Sequence, residues 1–131
     1  PLASPALVRG MLDRMQVPGG PEALIPVVPV IDTLRCTEPG KPAPARSGLV
    51  AVQTPQMFLS EVLKQAYRLP YDTSFTDDAS VAERAGVSIH TIPGERFNIK
   101  ITTPEDLRLA RLLLNGRRPD SVIGNEATSR G

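Results

Sequence analysis

Ala23-Leu24-Ile25-Pro26-Val27-Val28-Pro29-Val30-Ile31 is almost continuously apolar. So short an apolar run, closed off by turn residues, predicts a strand buried on both faces, as in a parallel sheet. Its two prolines predict a strand end or irregular pairing, because proline cannot donate to a ladder. Upstream, Pro18-Gly19-Gly20-Pro21 breaks the chain, and Pro5 to Met15 predicts a helix. Ser4 is placed to cap it and Pro5 fits its first position. Leu7, Val8, Met11, Leu12 and Met15 form one apolar stripe at helical spacing. Downstream, Thr33 to Cys36 and Arg46 to Val52 flank the proline- and glycine-rich segment Glu38 to Pro44. Two extended pieces around such a linker predict a hairpin or a protruding loop.

Further along, Gln56 to Tyr67 reads as a helix, with Phe58, Leu59, Val62, Leu63 and Ala66 on one face. Pro70 to Phe75 reads as a loop. Thr76 or Asp77 then caps a short helix to about Ala85, which Gly86 ends. Val87 to Ile92 alternates like a strand, and Phe97 to Ile101 is a second short extended piece. Thr102-Thr103-Pro104-Glu105-Asp106 is a strong helix start, with a hydroxyl cap, a proline at the first position and acids in the first turn. Leu107, Ala110, Arg111 and Leu114 continue that helix. From Asn115 the periodicity stops, and 115–131 reads as a flexible tail. The order α, β, arm, α, α, β, β, α predicts an α/β layered domain over residues 1–114. Its sheet is small for such a domain, which suggests missing strands.

Composition narrows the function classes. Forty per cent of the residues are hydrophobic and 22% charged, a soluble globular balance. A net charge of +1 selects neither nucleic acid nor membrane as partner. No apolar run approaches the ~20 residues that a membrane span needs. Cys36 is the only cysteine, which excludes a disulfide within the chain and fits a reducing cytosol. Of fourteen prolines, seven fall between Pro18 and Pro44, and they exclude a helix bundle there. The start at Pro1, with no initiator methionine and no signal-peptide pattern, reads as a start within a longer protein.

There is no glycine-rich phosphate loop of either common pattern. His90 is the only histidine, so no serine–histidine–acid set exists, and its place in an alternating strand makes it structural or superficial. Asp77 and Asp78 are adjacent and would point about 100° apart on a helix, a poor metal clamp. The positive signal is a set of polar residues at element ends: Thr33, Arg46, Thr54, Thr76 with Asp77, and Lys100. In α/β sheets ligands bind at strand ends. Arginine, lysine, threonine hydroxyls and helix N-terminal amides are what a phosphate monoester requires. Each residue also has a plainer reading. Arg46 and Lys100 could be a solvated charge and a salt-bridge partner, and Thr33 and Thr54 could satisfy backbone groups.

Three segments carry a resemblance. Leu49-Val50-Ala51-Val52-Gln53-Thr54-Pro55-Gln56-Met57-Phe58 resembles the AVQTPQ-x-F segment of the methylerythritol-phosphate cytidylyltransferases. Phe75-Thr76-Asp77-Asp78-Ala79-Ser80 is similar to their TDDAS segment. Phe97-Asn98-Ile99-Lys100-Ile101-Thr102-Thr103-Pro104-Glu105-Asp106-Leu107 is similar to their NIKIT-x-PEDL segment. They occur in the family's order and at about its spacing, and the similarity spans roughly Leu2 to Leu114.

The resemblance implies an α/β, partial Rossmann-like nucleotide-transferase fold with a protruding β-arm at about 32–52. It implies a transferase that joins CTP to 2-C-methyl-D-erythritol 4-phosphate with release of pyrophosphate, in the non-mevalonate isoprenoid pathway. Mg²⁺ would assist, and catalysis would rest on positioning and charge stabilisation. The family is a cytoplasmic homodimer in which the arm of one subunit reaches the other's active site. Thr33 and Arg46 match arm residues that contact the substrate phosphate, Thr54 and Thr76 match threonines near it, and Lys100 matches a lysine that stabilises phosphate charge. The glycine-rich CTP loop and the magnesium-binding aspartate would lie upstream, so the N-terminal CTP-binding half is expected to be missing and no metal ligand is expected in this chain. The chain alone is then expected not to turn over CTP. The strand Ile25–Ile31 would lack neighbours, which puts independent folding in question. Two other readings stand beside this one: a ribitol 5-phosphate cytidylyltransferase, and a non-catalytic dimerisation module.

Overall fold

The apolar run forms β1, Ala23–Pro29, and the other strands gather around it. The computed structural model describes residues 2–116, which divide into two compact units. The first holds residues 3–98; the second groups Leu2 with residues from 99 onward.

In the first unit β1 pairs antiparallel with β2, Val50–Val52, through Val27 with Val52 and Pro29 with Val50. It pairs antiparallel with β3, Met57–Phe58, through Ala23 with Phe58 and Leu24 with Met57. It pairs parallel with β4, His90–Pro93, from Leu24 with His90 to Val27 with Pro93. Leu24 has partners in both β3 and β4, and Val27 has partners in both β2 and β4. A strand has only two edges, so β2 and β3 lie end to end along one edge and β4 runs along the other. The sheet is therefore mixed. The expectation that the strand Ile25–Ile31 would lack neighbours is corrected over Ile25–Pro29, which pairs with β4 as far as Val27 and with β2 from Val27 to Pro29; Val30 and Ile31 lie beyond β1.

Ala23, Leu24, Ile25 and Pro26 are all buried, so both faces of the first half of β1 are covered, as the apolar run predicts. Pro26 sits mid-strand rather than at an end. Its carbonyl accepts from the Gln53 N–H at 2.8 Å, where the chain leaves β2 before entering β3. In a strand the amide and carbonyl of one residue face the same edge. The missing Pro26 donor therefore meets the gap between β2 and β3, which is the irregular pairing its sequence predicts.

Helix α1, Pro5–Gln16, covers β1 with Leu7 and Met11 against Leu24, joined by Met15, Met57 and Ile92. Its cap is Ser4, whose hydroxyl accepts from the Leu7 N–H at 3.0 Å. Helix α2 is Ser60–Ala66. The predicted helix from Gln56 begins four residues late, because Met57 and Phe58 join the sheet and the Leu59 N–H donates to the Glu22 carbonyl at 2.9 Å. Periodicity cannot foresee that override. Helix α3, Asp78–Arg84, is capped by Asp77 and followed by Gly86 at φ +87°, a left-handed position suited to glycine.

The segment 30–49 joins β1 to its antiparallel neighbour β2. Only a 3-10 turn, Arg46–Gly48, interrupts it, and the expected extended piece Thr33–Cys36 is not a strand. Likewise β4 starts at His90 rather than Val87, and Phe97–Ile101 is a turn and loop. In the second unit α4 spans Pro104–Gly116 and so runs through Asn115, where the sequence predicts the tail to start. Asp106 accepts from the Thr102 and Thr103 N–H groups at 3.0 and 2.8 Å, and the Thr103 hydroxyl accepts from the Asp106 N–H. The two N–H bonds, with the Thr102 hydroxyl donating to the same oxygen at 3.0 Å, hold the Asp106 carboxyl down at about 2. The rest of the expected tail, 117–131, lies outside the described residues.

Candidate functional site

Between β2 and β3 the chain Gln53-Thr54-Pro55-Gln56 steps out of the sheet, with the Thr54–Pro55 peptide cis. The two glutamines that flank it reach different neighbours. Gln53 Oε1 accepts from the Glu95 N–H at 3.0 Å, and its Nε2 donates to the carbonyls of Glu95 at 2.8 Å and Asn98 at 3.3 Å. Asn98 Nδ2 donates in turn to the Thr54 carbonyl at 2.6 Å. On the other side Gln56 Nε2 donates to Asp77 Oδ2 at 2.7 Å, and its Oε1 accepts from the Ala79 N–H at 3.2 Å. A glutamine amide offers both donor and acceptor, so each can join two backbone segments at once.

These bridges bring Thr54 and Thr76 into one neighbourhood, since Gln56 lies two residues after Thr54 and binds the residues that follow Thr76. Both threonines are exposed. Partial burial pushes the Asp77 carboxyl up. The donors on Gln56 and Ser80 outweigh that and hold it below the usual carboxylate range, so it is ionised at neutral pH. Helix capping, the plainer role expected of it, is what it does.

Arg46 forms a second grouping. Its Nη1 donates to the Ile31 carbonyl at 2.7 Å, which places the guanidinium at the root of the 30–49 loop, two residues along the chain from exposed Thr33. Lys100 belongs to the second unit, exposed and two residues after Asn98. His90 is exposed at the first position of β4. Among the described residues no three histidine, cysteine, aspartate or glutamate side chains gather where they could hold a metal ion.

Sequence reasoning passed over Gln53, Gln56, Glu95 and Asn98. Their signal was faint but real: two amides straddle a Thr-Pro turn, and a third amide, Asn98, sits between apolar Phe97 and Ile99. Asn98 is only 8% exposed, a buried polar side chain that must find partners.

A family model described as 2-C-methyl-D-erythritol 4-phosphate cytidylyltransferase matches residues 3–116. The chain belongs to that family. It is 41% identical over 115 residues to the 2-C-methyl-D-erythritol 4-phosphate cytidylyltransferase of Phocaeicola vulgatus, covering 87% of this chain and 51% of that protein. The protein of the same name from Bacteroides thetaiotaomicron is 51% identical over 94 residues, or 71% of this chain and 43% of the relative. The crystal structure of the cytidylyltransferase from Thermus thermophilus superposes with a TM-score of 0.73 at 32% identity, over 88% of this chain and 57% of that one. The α/β fold is thus the one seen in solved members of the cytidylyltransferase family. The chain spans about half the length of the curated relatives it matches.

Proposed function

We propose that this chain is the acceptor-binding part of a cytidylyltransferase that transfers CMP from CTP to 2-C-methyl-D-erythritol 4-phosphate and releases pyrophosphate. The observation that carries the reading is the pair of glutamine bridges, which gather the Gln53–Gln56 turn, the start of α3 and the 95–98 turn into one neighbourhood. Those segments include parts of the first two stretches that resemble the family's motifs and Phe97 and Asn98 at the start of the third, and they present Thr54 and Thr76 outward.

In the reaction an acceptor phosphate oxygen forms a bond to the α-phosphorus of CTP, and the bond from that phosphorus to the pyrophosphate oxygen breaks. Thr54 and Thr76 hydroxyls donate to the acceptor phosphate. Arg46 and Thr33, carried on the 32–52 arm, reach the same phosphate across a homodimer. Lys100 offsets negative charge on the phosphates. Charge-assisted bonds of this type are about twice as strong as neutral ones. Mg²⁺ would be held by an aspartate upstream of this chain and would help to offset phosphate charge. The enzyme acts in the cytoplasm on this reading; among the described residues no helix is long and apolar enough to cross a membrane.

The test is pyrophosphate release from CTP and Mg²⁺ by the chain alone and by the full-length protein. Expected is turnover with 2-C-methyl-D-erythritol 4-phosphate by the full-length protein, little with ribitol 5-phosphate, and none by the chain alone. Preference for ribitol 5-phosphate would replace the acceptor. No turnover with either from a folded full-length protein would leave the dimerisation module as the better reading.

A further inference from the structure

Gln53 does more than fill a gap in the sheet. Its backbone N–H bonds β1 through the Pro26 carbonyl, so its position along β1 is set by the ladder. Its side chain then crosses β1 at Pro26–Val27 to the far edge, where β4 ends at Pro93 and the chain turns through Gly94–Asn98. The amide takes both backbone groups of Glu95, and Asn98 closes the circuit on the Thr54 carbonyl. The Glu95 carbonyl also accepts from the Asn98 N–H at 2.9 Å, so the turn is braced internally.

Two further features show that the site is shaped around that amide. A Cβ on Gly94 would stand 2.3 Å from Gln53 Oε1 and 3.1 Å from the Val27 carbonyl, so any larger residue there would collide with the glutamine. Asn98 is buried, and among the described residues no buried side-chain polar atom lacks a partner.

We infer that Gln53 is a positioning residue for the acceptor site: with Asn98 and Gly94 it sets Thr54 against the 94–98 turn, and so sets where the acceptor phosphate is held. The inference rests on the proposed role of Thr54 as a phosphate contact. Gln53 touches no substrate. It acts by fixing a backbone whose displacement by about 1 Å can lower rate substantially.

The experiment uses Gln53→Ala, Gly94→Ala, the double variant and Thr54→Ala in the full-length protein, with KM for each substrate, kcat and Tm. Gly94→Ala keeps the glutamine but denies it room, so it tests the same contact if Gln53→Ala fails to fold. Expected for Gln53→Ala and Gly94→Ala is an acceptor KM raised roughly tenfold with CTP KM changed less than about twofold. The double variant is expected to be no worse than Gly94→Ala, because removing the side chain relieves the collision and the two effects are not additive. A fall in Tm with both KM values unchanged would overturn the inference and leave Gln53 purely structural. A raised acceptor KM in Thr54→Ala beside a normal one in Gln53→Ala and Gly94→Ala would also overturn it. An unchanged acceptor KM in Thr54→Ala, with the Gln53 and Gly94 variants raising it, would instead remove Thr54 from the proposed site while keeping Gln53 as a positioning residue.

Discussion

The turn at Gln53–Gln56 and the loop at 30–49 carry candidate site residues in opposite ways. The turn is held on both sides by side-chain amides bonded to backbone and to Asp77, and its threonine, Thr54, is presented by a frame the chain builds for itself. The loop holds the Arg46 guanidinium by an exposed bond to the Ile31 carbonyl, and its ion pair between Glu38 and Lys41 is exposed on both partners. An exposed pair of that kind adds little stability. The difference teaches where preorganisation comes from. A short turn between two strands of one sheet can be braced by its neighbours, whereas a long connection outside the sheet must take its order from whatever it meets.

Substitutions in the full-length protein separate a braced turn from an unbraced loop. The largest effect is expected at Lys100, the candidate that sits in neither region. Lys100→Ala should lower kcat/KM by more than tenfold, since charge-assisted phosphate bonds contribute about 1.5–3 kcal/mol. A near-normal value in steady-state assay would remove it from the site. Next comes Arg46→Ala, which should raise acceptor KM by roughly tenfold while leaving Tm within about 2 °C, as befits a residue with no part in the frame. An unchanged acceptor KM would end its role, and a large loss of Tm would mean the loop is braced after all. Gln56→Ala should show the reverse balance: a clear fall in Tm, with acceptor KM raised by about three- to tenfold as the start of α3 drifts from Thr54. Kinetic change without any thermal change would contradict the picture of a self-built frame.

The smallest effect concerns Asp106, far from either region in the sequence. Its carboxyl lies at about 2, below the ordinary 3.8, so the folded state favours the ionised form. That contribution is present above about pH 4 and is lost as the pH falls toward 2. Asp106→Asn should therefore be less stable than the parent at neutral pH, with the difference shrinking in acid. Parallel urea titrations at neutral pH and near pH 3 would show it, and a gap that widened in acid would reverse the sign.

Much of this is legible in the chain itself. Ser4, Asp77 and Thr103 cap helices as their sequence predicts, because capping depends on a side chain and amides only a few residues away. The apolar run at Ala23 yields a doubly covered strand for the same local reason. Met57 and Phe58 read as helix because nothing near them announces that Ala23 and Leu24 will lie alongside. Thr33–Cys36 reads as extended because proline-flanked composition resembles a hairpin whether or not a partner strand exists.

By itself the sequence determined the family, the α/β class, the caps of α1, α3 and α4 and the place of Thr54 and Thr76 at element ends, since each depends on residue type and short spacing. Only the tertiary structure decided that β2 and β3 share an edge of β1, that Pro26 can sit mid-strand opposite their gap, and that Gln53 reaches Glu95 and Asn98. The last of these joins residues more than forty positions apart. A hydrogen bond leaves no periodic trace in the chain when its two ends are brought together by packing alone.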